Sequence, residues 1–104
     1  TFTFEGWLYP TSFTAAGTEM FVFGDVDPVG GTATISINVE QTTGAVSLRW
    51  YDGSTARKIT SRKSMALNQW NYFASTRDSS NNLRIYLNGN LDSTTSSYSY
   101  SFYQ

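Results

Sequence analysis

The sequence predicts an all-β fold, an antiparallel β-sandwich of jelly-roll type, and three observations carry that expectation. Apolar and polar residues alternate with period two in several stretches, the pattern of strands that turn one face to a core. Asn88-Gly89 sits between two such stretches, where a two-residue hairpin turn belongs. Aromatic residues make up 16% of the 104 positions, and no run of Ala, Leu, Glu and Lys is long enough for a helix. A chain of this length is expected to form one domain around one core, spanning residues 1–104.

The chain opens on "TFTFEGWLYP", an aromatic-rich strand stopped by Pro10. Because it has no initiator Met and no polar lead-in, it reads as a strand inside a longer polypeptide, and the domain as a segment incomplete at both ends. "GDVDPVGG", residues 24–31, reads as a loop, since Pro28 and paired glycines interrupt a strand ladder. In "ATISINVE", Ile35, Ile37 and Val39 share one face and Ser36, Asn38 and Glu40 the other. "GAVSLRWY" repeats the pattern, with Val46, Leu48 and Trp50 set against Ser47, Arg49 and Tyr51. The short link "QTTG", with Gly44 able to take a positive φ, makes these two runs a hairpin.

"ARKITSRK" is a cationic segment around Ile59. "NQWNYFASTRD" reads as a strand with bulk on both sides, Trp70 and Tyr72 on one and Phe73 on the other, which places it mid-sandwich or under a loop. "NNLRIYLNGNLD" is a hairpin with Leu83, Ile85 and Leu87 on its apolar face and Asn88-Gly89 at a type I′ turn. In the tail, "SSYSYSFYQ", Tyr98, Tyr100 and Phe102 alternate with serines, so it too can form a strand. Seven or eight short strands at this spacing imply a sandwich with Greek-key or jelly-roll connections.

Charge and composition narrow the partners. Seven basic residues are offset by eight acidic ones, a net charge of −1, so there is no electrostatic footprint for a phosphate backbone and no nucleic acid is expected. The apolar stretches fall well short of the roughly 20 residues that span a membrane as a helix, and no insertion is expected. Without cysteine, neither a disulfide framework nor a thiolate metal site can form. Ser and Thr number 28, giving a hydroxyl-rich surface of extracellular, cell-surface or virion-surface character.

Three patches in fixed order, "FTFEGWLYP", "NQWNYFAST" and "LRIYLNGNL", together resemble the concanavalin A-like lectin/glucanase superfamily, in particular its laminin G-like and pentraxin-like group. There the first patch reads as a Phe-Thr-x-Glu-x-Trp strand. The second is a Trp followed by an aromatic or His, an apolar residue and Ala, and the third is an apolar-Tyr-x-Asn-Gly hairpin. The matching positions are Phe2 or Phe4, Glu5, Trp7, Trp70, Tyr72, Ala74, Tyr86, Asn88 and Gly89. The resemblance implies a jelly-roll sandwich with a lectin-like binding role. Trp7 and Trp70 are expected to supply large buried area to its core. Family members usually carry a strand before the first patch and another after the hairpin, and only "SYSYSFY" offers part of the latter.

Hydrolysis by the glucanase branch would use a Glu-x-Asp-x-x-Glu motif, because two carboxylates must flank the scissile bond. Here Glu5, Glu19 and Glu40 stand alone and there is no histidine to activate a serine, so no catalytic residue is assigned and a non-enzymatic module is expected. Asp25 and Asp27, in a Gly-rich segment, suit calcium, which takes six to eight oxygen ligands. They equally suit a plain turn, since Asp bonds nearby amides.

Sugar would be held by aromatic faces and by Asn, Asp or backbone groups at a groove or rim. The candidates are Trp50, Tyr51, Asp52 and Tyr72, with Asp25, Asp27 and Asn88 beside them. Of these, Trp50 also suits the core, Asn88 the turn, and Tyr51 an ordinary exposed position. Arg57, Lys58, Arg62 and Lys63 would meet an anionic glycan or partner, or protect an exposed edge strand. Two functions follow. One is a module that binds glycan or a surface protein within a larger surface protein. The other is a structural, decoration or fibre domain that contacts neighbouring subunits or the rest of the parent chain and binds no glycan.

Overall fold

A computed structural model describes residues 1–13, 19–26, 33–51 and 56–95, with the side chains of most of the second strand outside the described set. The described residues contain eight strands: β1 (Phe2–Leu8), β2 (Glu19–Val26), β3 (Ala33–Glu40), β4 (Ala45–Tyr51), β5 (Ala56–Ser64), β6 (Asn71–Arg77), β7 (Leu83–Leu87) and β8 (Asn90–Thr95). They form two four-stranded antiparallel sheets, β1-β6-β7-β8 and β2-β3-β4-β5. The expected sandwich is what the chain forms.

The inward-facing residues follow the alternation. Ile37, Val39, Val46, Leu48, Trp50 and Ile59 of one sheet meet Phe73, Leu83, Ile85 and Leu87 of the other, and Phe2, Phe4 and Leu8 pack against them. Both turns adopt the expected chemistry. Gly44 has φ 72°, and a Cβ there would stand 2.5 Å from the Phe13 ring. Asn88 and Gly89 have φ 50° and 81°, the left-handed pair that a type I′ turn requires.

The sheets are stitched along one side. Strand β8, at the edge of its sheet, lies against β5, at the edge of the other. The Asp92 carboxylate accepts from the backbone N–H of Arg62 at 2.5 Å and of Lys63 at 3.0 Å, and the Ser93 hydroxyl donates to the Thr60 carbonyl at 3.2 Å. β5 is thus an edge strand whose cations blunt its outer side, and Lys58 pairs with Glu40 at 2.7 Å.

Three expectations are corrected. Trp7 and Trp70 are exposed rather than buried, Trp7 for a reason set by strand parity and described below. The segment 24–31 is not all loop: Gly24, Asp25 and Val26 continue β2, paired with Ser36, Ile35 and Ala33 across a register shift that absorbs the irregular sequence. β6 begins at Asn71, so Trp70 precedes it, and the bulk on both its sides reflects an aromatic outer face, not double burial. On the polar sides of β3 and β4, Ser36, Asn38 and Ser47 are buried, while Glu40 is half-buried and Arg49 exposed. The tail, residues 96–104, lies outside the described residues.

Candidate functional site

β1 sends Phe2, Phe4 and Leu8 to the core, so the pleat sends Thr3, Glu5 and Trp7 to the opposite face. Antiparallel pairing then sets Trp7 opposite Tyr72 and Glu5 opposite Ala74. The Trp7 and Tyr72 rings lie 5.2 Å apart at 52°. Just beyond the strand ends, Tyr9 and Trp70 make a second pair, 5.5 Å apart and near edge-on at 70°. Both geometries lie in the range favoured for aromatic pairs.

These rings belong to a larger feature. Trp7 (62% exposed), Tyr9 (48%), Leu67 (43%), Trp70 (63%) and Leu91 (55%) are the large apolar side chains left in solvent among the described residues. All five occur where β1 ends, β6 begins and the β7–β8 hairpin turns. Single exposed apolar residues need no explanation, but a gathered group marks a contact surface.

The platform is held from below and from the side. Asn71 is wholly buried and closes the loop that delivers Trp70: its Oδ1 accepts from Ala66 N–H, while its Nδ2 donates to the carbonyls of Ala66 and Gln69, each at 2.9 Å. Asn68 N–H donates to the Pro10 carbonyl at 2.7 Å, tying that loop to the end of β1. Beside the rings, Tyr72 N–H donates to Asn88 Oδ1 at 2.9 Å and Asn88 N–H returns to the Tyr72 carbonyl at 2.7 Å. The Tyr72 hydroxyl donates to the Glu5 carboxylate. That hydrogen bond, burial and the Glu5 charge all push the Tyr72 phenol upward, so it remains a neutral donor at physiological pH.

A cleft of about 170 Å³ opens at the hairpin, lined by Lys63, Asn88, Asn90, Leu91 and Asp92 among others. Burial pushes the Asp92 carboxyl up, but the Ser93 hydroxyl, the Arg62 and Lys63 N–H groups and the Lys63 charge outweigh it, and the net shift is downward. At the far end of the same sheet, hydrogen bonds from Asn82, from Arg84 and from the Asn82 and Ser80 backbone hold Asp78 well below the usual carboxylate range.

The residues expected at the site divide. Tyr72 lies on the platform, with Asn88 beside it. Trp50, 2% exposed, belongs to the core and cannot meet a ligand. Tyr51 is half-buried at the end of β4 in the other sheet, so the structure does not bring Tyr51 and Tyr72 to one strand pair or one sheet. Asp52 and Asp27 lie outside the described residues, as does the side chain of Asp25, whose backbone pairs with Ile35. The calcium reading falls on those groups. Sequence reasoning missed Trp7, Tyr9 and Trp70 as surface residues. Parity was the available signal: Trp7 shares its phase with Thr3 and Glu5, not with Phe2 and Phe4.

A laminin G family model, described as the concanavalin A-like lectin/glucanases superfamily, matches residues 1–103. The resemblance read from the three patches is thereby borne out. No curated protein and no solved structure matches the chain.

Proposed function

Since this chain belongs to the concanavalin A-like lectin/glucanase superfamily, we propose that it is a non-enzymatic carbohydrate-binding module that takes its ligand on the outer face of the β1-β6-β7-β8 sheet. The observation that carries this reading is the gathering of Trp7, Tyr9, Trp70 and Tyr72 in two ring pairs, one tilted and one edge-on, with Glu5 and Asn88 alongside. Exposed rings offer flat apolar faces to the C–H faces of pyranosides, and the adjacent amide and carboxylate orient hydroxyls.

Absence of catalysis is supported by how the described carboxylates of this sheet are occupied. Glu5 accepts from Tyr72, Asp78 is wrapped by its own turn, and Asp92 is held on the β5 backbone. The hydroxyl-rich composition supports a place in a larger extracellular, cell-surface or virion-surface protein.

A glycan array run with calcium and again with EDTA tests the reading. Trp7→Ala and Trp70→Ala are expected to abolish binding, with Tyr51→Ala leaving it intact. The reverse pattern would move the site to the end of β4, and EDTA sensitivity would bring calcium at Asp25 and Asp27 into it. Leu67 and Leu91 favour a second reading, since aliphatic side chains in the same patch suit a protein contact of a structural or assembly domain. A blank array with folded protein, together with concentration-dependent association in light scattering, would establish that reading in place of the first.

A further inference from the structure

The β7–β8 turn carries the one Asn-Gly pair of the sequence, Asn88-Gly89, and both residues are exposed. An asparagine side-chain amide is open to attack by the backbone nitrogen of the residue after it, which closes a cyclic imide. A Cβ on that following residue crowds the approach, and glycine has none. At Gly89 even an added Cβ would meet nothing within 4 Å, so the attacking nitrogen stands in open space. Its N–H donates no hydrogen bond among the described residues.

The electrophile is prepared by the fold. Asn88 Oδ1 accepts from Tyr72 N–H at 2.9 Å, which draws electron density from Cγ and places a donor on the oxygen that becomes negative in the tetrahedral adduct. The Asn88 Nδ2, which would leave, has no partner among the described residues.

Other asparagines lack one or more of these conditions. Asn68 and Asn81 share the positive φ, 57° and 63°, but Gln69 and Asn82 follow them. Asn71 is wholly buried with its amide committed to the 66–69 loop. Asn82 donates its Nδ2 to Asp78 at 2.9 Å, and Asn90, though exposed, precedes Leu91.

We propose that Asn88-Gly89 is a site of spontaneous deamidation, and that its isoaspartyl product releases the start of β6 from the hairpin. Gly89 N gives its proton to solvent and bonds to Asn88 Cγ, and the carbonyl electron pair moves to Oδ1. That pair returns as the Cγ–Nδ2 bond breaks and Nδ2 departs with a proton as ammonia. Water then opens the imide. Cleavage of the new N–Cγ bond gives Asp, and cleavage of the original bond between Gly89 N and the Asn88 carbonyl carbon gives isoaspartate. The sum is amide plus water to carboxylic acid plus ammonia, with one negative charge gained at neutral pH.

The two products differ in what they do to the latch. Asp keeps a side-chain oxygen able to accept from Tyr72 N–H. Isoaspartate carries the main chain through Cβ and Cγ, so that oxygen becomes a backbone carbonyl and a methylene is added to a turn that admits two residues. Tyr72, whose ring faces Trp7 at 5.2 Å, then loses its tie to the turn. None of this chemistry depends on a ligand.

Peptide mapping by mass spectrometry, on folded wild-type protein held at physiological temperature at neutral and at mildly alkaline pH, tests the proposal. Conversion should concentrate at Asn88, run faster at the higher pH because the attacking nitrogen must lose a proton, and yield isoaspartate as well as Asp. Asn68, Asn81, Asn82 and Asn90 should remain amides. In the isolated isoaspartyl form the Tyr72 amide hydrogen should exchange roughly fivefold faster than in the unaged protein, the scale of one lost hydrogen bond. Asn88→Asp, which supplies the other product without ageing, should exchange at the wild-type rate. Absence of conversion at Asn88 in the folded protein, or equal conversion at the other asparagines, overturns the site. Unchanged Tyr72 exchange in the isoaspartyl form, or equally fast exchange in Asn88→Asp, overturns the release by the inserted methylene.

Discussion

The two sheets turn outward faces of opposite character. On β1 and β6 the outer positions hold the exposed Trp7 and the half-buried Tyr72. On β3 and β4 the corresponding positions hold Ser36, Asn38 and Ser47, small and polar, yet buried. Asn38 Nδ2 donates to Ser36 Oγ at 2.9 Å, but Ser47 Oγ has no hydrogen-bond partner. This reverses the usual sorting, in which large apolar residues are covered and serines face water. Burial of apolar area is worth roughly 25 cal/mol per Å², so two exposed tryptophans forgo stability of a few kcal/mol. The placement therefore favours a contact made by the outer face of β1 and β6 over a role in the fold.

A pair of tryptophans gives the strongest way to break that comparison. Trp50→Ala should destabilise the domain by about 3–5 kcal/mol, because it empties the centre of the core. Trp7→Ala should cost less than about 1 kcal/mol, since its ring rests on Tyr72 at the surface. Urea unfolding of both variants decides the matter, and equal losses would mean that Trp7 is structural after all.

Next in size is Asn71→Ala. Three hydrogen bonds to the 66–69 loop disappear from a wholly buried side chain, a loss of about 1–3 kcal/mol. Because the same loop delivers Trp70, glycan binding should fall in the folded fraction as well. Stability lost with binding unchanged would separate the loop from the platform.

The contrast also marks how far the sequence could be read. Period two made β3, β4, β7 and both hairpins legible, since Ile35 to Val39 and Leu83 to Leu87 alternate cleanly and Gly44 and Asn88-Gly89 permit only a few turns. β2 was not legible: Met20 to Phe23 is a continuous apolar run, and the register shifts that let it pair with β3 have no local signal. For the candidate site, the sequence singled out Tyr72 and Asn88, which lie on or beside the ring pairs, but it assigned Trp7 and Trp70 by size, and for Trp7 against its phase. Tryptophan's large apolar area argues for burial, while the phase of "FTFEGWL" argues for the surface, and phase prevailed because a strand cannot turn one residue inward without turning its neighbours out. Burial of Ser36 and Ser47 could not be read, because what covers a sheet face is decided by segments distant in sequence.

Ser47→Ala probes the opposite face and should have a smaller effect of opposite sign. Its hydroxyl is buried without a partner, so removal should be neutral or stabilising by up to about 1 kcal/mol. Ser61→Ala serves as the control, because the Ser61 hydroxyl accepts from Val46 N–H at 2.9 Å and donates to the Lys63 carbonyl at 2.7 Å, and its loss should destabilise. Thermal unfolding that ranks the two alike would show that Ser47 has found a partner.

The smallest expected effect concerns the seam between the two sheets. Asp92 on β8 holds the backbone of β5, and its carboxyl is lowered in the folded chain because those hydrogen bonds outweigh burial. A group whose pKa is depressed by folding stabilises above its unfolded value, about 3.9 for Asp, and that contribution fades as pH falls through the folded value. Wild-type protein should therefore lose stability below about pH 4, and Asp92→Asn should lose less over the same interval, having given up the charge-assisted part at neutral pH. Asp78→Asn makes the comparison specific. Its carboxyl is lowered further, by Asn82 and Arg84 first, but it sits in an exposed turn that joins neighbouring strands of one sheet and not the two sheets. If urea midpoints at pH 7 and pH 3 respond to Asp92→Asn and not to Asp78→Asn, acid acts by opening the seam that keeps the aromatic sheet on its partner. If only Asp78→Asn changes the acid response, the seam is held by packing and the Asp92 hydrogen bonds merely follow it.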